Sequence, residues 1–323
     1  MQAIRRMWLA AFLCAAGLLA GVTTARAVDP KLLPSGTEAV VTINLGQILK
    51  STIAKFFLDN GMKDKGLDKY FKKAGFNLYT DLDSVSIASD GTQNPEAVLL
   101  IVEGKFDAAK IEESVVAAGK DANQEVKVSS IGGAKVFEIA PPDEKKVYIG
   151  IVNKGTILAT VNKEGLSDAI ARFNGTKSST MKKEVKSLFD TTNSKQSLSF
   201  VVTGKSLGEM LKNAPNVPEK ALDEMKKVDG LSAAITLDKN VTFQLGVNAV
   251  DADVAKTMAE QGNAGLKLAM FFVNNKAQQD EKFAPAVDVM KTLRVSSQGV
   301  NVVLRGEITY ETLGKVLKNI PMP

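Results

Sequence analysis

Residues 81–111 read DLDSVSIASDGTQNPEAVLLIVEGKFDAAKI, and the reading of this stretch decides the fold. Its acids, Asp81, Asp83, Asp90, Glu96, Glu103 and Asp107, either converge on a metal or a reaction, or they punctuate the ends of strands and a helix. "DSVSIAS" reads as a strand, and "AVLLIVEG" is the continuous apolar run of a central strand covered on both faces. Asp107 then stands at the N-cap of a helix, where its carboxylate accepts a bond from an otherwise unpaired N–H of the first turn, contributing about 0.5–2 kcal/mol relative to Ala. Phe106 and Ile111 have the spacing of a hydrophobic staple around that cap. A calcium loop of the EF type, counted from Asp90, needs Gly at its sixth position and Glu at its twelfth; the chain has Pro95 and Ile101 there. The acids are therefore read as turn and cap residues.

Upstream, "AVVTINL" alternates Ala39, Val41, Ile43 and Leu45 against Val40, Thr42 and Asn44, the pattern of a half-buried strand. Leu49, Ile53, Phe56 and Phe57 then recur at helical spacing. Downstream, "KVFEIA", "KVYIGIVN" and "TILATVN" read as three successive strands, and Leu166, Ile170 and Phe173 mark one face of a helix over 163–173. The Ser-, Thr-, Lys- and Asn-rich stretch 176–195 reads as a polar linker between a first half, 28–175, and a second, 196–323.

The second half repeats the order of the first. It has a strand "SLSFVVT", a helical segment from Ser206 to about Lys227, strands "GLSAAITL" and "VTFQLGV", and a helix introduced by Val250-Asp251-Ala252, in the place of Phe106-Asp107-Ala108. The interval from Asp83 to Asp90 is seven residues, whereas Asp229 to Asp238 is nine. Turn residues tolerate such drift and a ligand set does not. At the end of the chain, Gln298-Gly299 suits a hairpin turn, the strand 300–308 has one solvated face, and Thr309 caps a final helix striped by Leu313, Val316, Leu317 and Ile320. The expected class is α+β, with mainly antiparallel sheets covered by helices on one face and two structurally similar halves.

The first 27 residues read as a signal peptide, with Arg5 and Arg6 before the apolar run from Met7 to Gly21 and a cleavage motif Ala25-Arg26-Ala27. That run is shorter than the ~20 residues that span a bilayer. Cleavage after Ala27 removes three of the 41 basic residues and no acid, which lowers the net charge from +5 to about +2 and leaves no argument for nucleic-acid binding. It also removes Trp8 and Cys14, the single Trp and the single Cys of a chain without His. The remaining residues cannot form a disulfide, lack the nitrogen and sulfur ligands of the usual zinc sites, and cannot supply Ser-His-Asp or Cys-His nucleophilic machinery. Carboxylate, lysine, serine and tyrosine chemistry is what remains.

Other motifs weaken on inspection. "TGKS" at 203–206 lies between a strand and a helix, but a phosphate-cradling loop needs Gly where the chain has Ser199. Ser206 and Glu209 instead have capping-box spacing. Ser179 and Lys182 match S-x-x-K without the accompanying S-D-N and K-T-G elements. Lys63, Lys65, Lys69, Lys72 and Lys73, among Tyr70, Phe71 and Phe76, read as a solvated helix face or a surface for anionic lipid. Asn174-Gly-Thr176 and Asn240-Val-Thr242 match the N-glycosylation pattern, idle in a bacterial envelope. Thr42 and Asn44, Ser84 and Ser86, Gln244 and Asn248, and Asn301 and Arg305 are read as the outward, water-facing sides of strands.

The segment "LLPSGTEAVVTINLGQILKSTIAKFF", with "DLDSVSIAS", "AVLLIVEGKFDAAKI" and "LSAAITLDKNVTFQLGVNAVDADVA" after it, resembles exported bacterial proteins of unknown function. These begin the mature chain with a Leu-Pro-x-Gly/Ala strand entry and carry repeated strand-strand-helix units. The resemblance implies an exported, duplicated α+β protein and transfers no functional residue. The expectation is a periplasmic or secreted, non-catalytic protein that binds an envelope partner or ligand, with no catalytic, cofactor or metal residue, no cofactor, no nucleic acid and no membrane span after cleavage. Two alternatives stand beside it: a carboxylate-dependent envelope hydrolase acting on glycans, and a carrier of an apolar molecule. Sequence leaves the oligomeric state open.

Overall fold

The computed structural model describes residues 28–59, 77, 80–92, 94–141, 145–179, 181–190, 195–212, 214 and 218–318. The stretch read as a signal peptide, 1–27, and the lysine-rich stretch at 63–73 lie outside the described residues. The chain forms two compact units, one up to Met181 and one from Lys182.

The first unit contains β1 (Ala39–Ile43), α1 (Leu45–Lys50), α2 (Thr52–Asp59), β2 (Leu82–Ser89), β3 (Leu99–Gly104), α3 (Ala108–Asp121), β4 (Glu125–Ile131), β5 (Ala134–Ala140), β6 (Val147–Asn153), β7 (Thr156–Thr160) and α4 (Lys163–Phe173). Its strands lie in the order β1-β2-β3-β7-β6-β5-β4, every pair antiparallel. The second contains α5 (Lys183–Phe189), β8 (Leu198–Thr203), α6 (Gly204–Lys212), α7 (Glu219–Met225), β9 (Val228–Leu237), β10 (Val241–Ala249), α8 (Ala252–Gln279), α9 (Ala284–Thr292), β11 (Arg294–Gln298), β12 (Asn301–Ile308) and α10 (Tyr310–Lys318). Its order is β8-β9-β10-β12-β11, again antiparallel throughout. The class is α+β, as the sequence suggests.

The helices are less one-sided than expected. On β6, a Cβ at Gly150 would come within 3.4 Å of Leu166 and Ile170, so this glycine lets α4 lie against the sheet. On α3, a Cβ at Gly119 would come within 2.3 Å of Val126. Gly150 pairs with Val136 and Val126 with Ile139. Val136 and Ile139 are three residues apart in β5 and so point to opposite faces. In the first unit, α3 and α4 therefore occupy opposite sides of the sheet.

The polar strand residues correct a second expectation. Thr42, Asn44, Ser84, Ser86 and Asn248 do not face water; all are buried. Thr42 and Ser86 are opposite each other in β1 and β2 and share a hydroxyl–hydroxyl bond of 2.9 Å. The Ser84 hydroxyl donates to Glu103 Oε2 at 2.8 Å, and Asn44 Oδ1 accepts from Gln47 N at 3.1 Å to cap α1. Each bond offsets the desolvation of a small polar group, which is what makes this buried layer tolerable.

Other differences are local. The helical segment after β1 is two helices, because Ser51 adopts an extended conformation that ends α1 and its Oγ accepts from Ala54 N at 3.0 Å to start α2. The stretch 176–195 holds α5, whose Val185, Leu188 and Phe189 are buried. β4, absent from the sequence reading, is an edge strand; its Glu125–Lys127 ion pair at 3.4 Å places charges where another chain's strand would add.

Candidate functional site

The acids of 81–107 take up separate duties. Asp81 accepts from Asn77 N at 2.7 Å and from the Thr80 hydroxyl at 2.8 Å. Asp90 accepts from Thr92 N at 2.9 Å and from its hydroxyl at 2.6 Å. Glu96 pairs with Lys145 at 2.7 Å. Asp107 caps α3, accepting from Ala109 N at 3.0 Å and Lys110 N at 3.3 Å, and both staple positions, Phe106 and Ile111, are buried. Asp251 does the same for α8 through Val254 N at 2.7 Å. Among the described residues no three of Asp, Glu, His and Cys are grouped as a metal ion would need.

Asp83 is the exception in its environment. It lies half-buried on β2, and desolvation raises its pKa above the ordinary aspartate value against the opposing pull of Lys105 and Lys50. The folded state thus favours the protonated acid. That contribution is fully present below the unfolded pKa and is lost as pH rises through the folded one. Asp83→Asn should therefore gain stability relative to the natural chain as pH rises from about 3 to 7. Urea midpoints across that range measure it, and a pH-independent difference would refute the assignment.

The other motifs are absorbed by architecture. Helix α6 begins at Gly204, two residues before the expected cap Ser206, and Thr203 Oγ1 accepts from Ser206 N at 3.3 Å. Ser206 is thus inside the helix, which leaves neither a capping box at 206 nor a phosphate loop. The Ser179 hydroxyl donates to Leu33 O at 2.9 Å, a structural use. Asn174 ends α4, and its Nδ2 donates to Gly132 O at 2.7 Å. Asn240 Oδ1 accepts from Tyr310 N at 3.0 Å.

A depression of about 340 Å³ in the second unit is lined by Gln196, Thr236, Gln244, Thr292, Arg305 and Glu307, among others. Arg305 Nε donates to Gln244 Oε1 at 3.1 Å, and Glu307 accepts from the Asn240 amide. Among the described residues, Glu307 is the one carboxylate of its lining. Glycoside hydrolysis of the usual kinds needs a facing pair, and an apolar ligand needs a largely apolar wall.

The feature that sequence reading missed is on α8. The start of this helix is anchored: Ala255 and Ala259 are buried with Ala249 and Val302, and Val295 packs against the same cluster. Its later turns carry Leu268, Phe271 and Phe272 at 58, 59 and 60% exposure, with the two rings edge to face at 5.8 Å. The i, i+3, i+4 spacing was a signal available in the sequence, but it is the same spacing that a core-facing stripe shows. No described helix is long and apolar enough to cross a membrane.

No curated protein matches the chain. A solved structure described as "Structure of crystal form I of TP0453" resembles it with a TM-score of 0.45 and 10% identity, covering 91% of this chain and 98% of that one. Residues 78–275, from before β2 to the later turns of α8, match the family described as "Protein of unknown function (DUF3352)", and the chain belongs to that family.

Proposed function

We propose that this is an exported, non-catalytic protein that binds a partner or ligand in the periplasm or at the cell surface, built from two related α+β modules. The carrying observation is the exposed Leu268-Phe271-Phe272 stripe, because contiguous apolar surface left in water marks interaction sites. The signal-like residues 1–27 support export. Beyond them the chain has neither His nor Cys, and the acids described above serve caps, turns and ion pairs. Duplication is supported by the strand orders, since β1-β2-β3-β7-β6 and β8-β9-β10-β12-β11 correspond once β4 and β5 are treated as an added hairpin.

The test is a photo-crosslinking residue placed at Phe272 in living cells, compared with one at exposed Lys127 on β4. A discrete envelope adduct, protein or lipid, formed from position 272 and not from 127 is the expected result. Absence of any adduct specific to 272, fractionation of the chain with the cytosol, or turnover of an envelope polymer by the purified protein overturns the reading.

A further inference from the structure

We infer that the outer face of α8 docks on a membrane surface bearing anionic headgroups; this rests on the binding reading above and names its partner. Leu268, Phe271 and Phe272 share one side of the helix, all more than half exposed. The opposite side is held by its own unit: Ala255 and Ala259 are buried, a Cβ at Gly262 would meet Val295 at 3.2 Å, and the Asn263 amide donates to Val295 O at 3.3 Å. The stripe cannot roll inward without breaking that packing.

The charges select the occupant. From Gln261 to Gln279 the helix has no Asp or Glu, and its basic residues there are Lys267 and Lys276. At ~100° per residue these lie roughly 80–100° to either side of Leu268, flanking the apolar stripe. Neither has an ion pair among the described residues. Asp280, just past the helix, accepts from Lys282 N at 3.0 Å as a cap. Aromatic and aliphatic side chains between flanking lysines suit a helix lying in the plane of an anionic interface, where the apolar side chains enter the acyl boundary and the ammonium groups meet phosphates. A second copy fits less well, since twofold pairing of this face sets lysines against lysines with no acid between 261 and 279 to answer them. α8 is a surface-lying element; it does not meet the requirements of a span.

The natural chain's only tryptophan is Trp8, so a full-length W8F/F272W chain has a single indole, at the proposed contact. Phosphatidylglycerol vesicles should shift its emission to the blue, and phosphatidylcholine vesicles should do so far less. Removing both flanking charges in K267Q/K276Q should weaken binding to phosphatidylglycerol by roughly thirtyfold. L268Q/F271Q should weaken it by at least about tenfold, with an unchanged circular dichroism spectrum because both positions are more than half exposed. Residues 1–27 are the same in these variants apart from Trp8, so any lipid affinity of their own cancels in the comparison. No vesicle-dependent shift overturns the inference, as does a shift that follows protein concentration without vesicles, the mark of a second copy. A discrete protein adduct at 272 without lipid binding overturns it while leaving the proposed binding function intact.

Discussion

Phe137→Ala should lower the stability of the first unit by about 3–5 kcal/mol. Phe137 is fully buried in β5, on the same face as Ile139, two residues on, whose cross-strand partner Val126 packs on α3. On that side α3 is also tied to the sheet by the Lys135–Glu112 ion pair at 2.5 Å. Truncation removes the ring's transfer free energy and leaves a cavity that paired strands on either side of β5 cannot close. In urea unfolding followed by far-ultraviolet circular dichroism, the midpoint of the first unit should fall with its slope unchanged. Phe137→Leu should recover most of the loss. A Phe137→Ala chain that unfolds at the natural midpoint would show that α3 does not cover this face.

Gly204→Ala should destabilise the second unit, although alanine is the better helix former by about 1 kcal/mol. A Cβ at Gly204 would lie 1.8 Å from the carbonyl oxygen of Val228 at the start of β9. The obstacle is backbone, which no rotamer change relieves, so strand or helix must move at a cost of about 1–3 kcal/mol or more. Gly208, one turn further along α6, has nothing within 4 Å of its would-be Cβ. Gly208→Ala should therefore stabilise the unit by roughly 0.5–1 kcal/mol. The opposite signs of two identical substitutions in one nine-residue helix separate tertiary contact from propensity, and equal signs in thermal or urea unfolding would defeat the assignment.

What could be read from the chain follows the range of the forces involved. Asp107, Asp251 and Thr309 are legible as caps because a side chain and the N–H it satisfies are two or three residues apart. Thr203 and Ser206 compete for the same duty locally, and Thr203 takes it because β8 ends there. The partner of Thr42 is 44 residues away, so alternation in β1 gives two faces without saying which one is covered. Composition hid α5, since a polar average over 176–195 masks Val185, Leu188 and Phe189 at i, i+3 and i+4.

The same limit applies to the candidate surface. Leu268, Phe271 and Phe272 have the spacing of a packed stripe. Only the assembled unit reveals that α8 spends its small residues, Ala255, Ala259 and Gly262, on the sheet and turns its large ones to solvent. The sequence by itself determined the available chemistry, most of the strands and the caps at Asp107, Asp251 and Thr309, because residue type and near-neighbour hydrogen bonding are properties of short segments. The tertiary structure decided which polar side chains are sealed in and which apolar ones are left bare, because burial is set by surfaces that meet from distant parts of the chain.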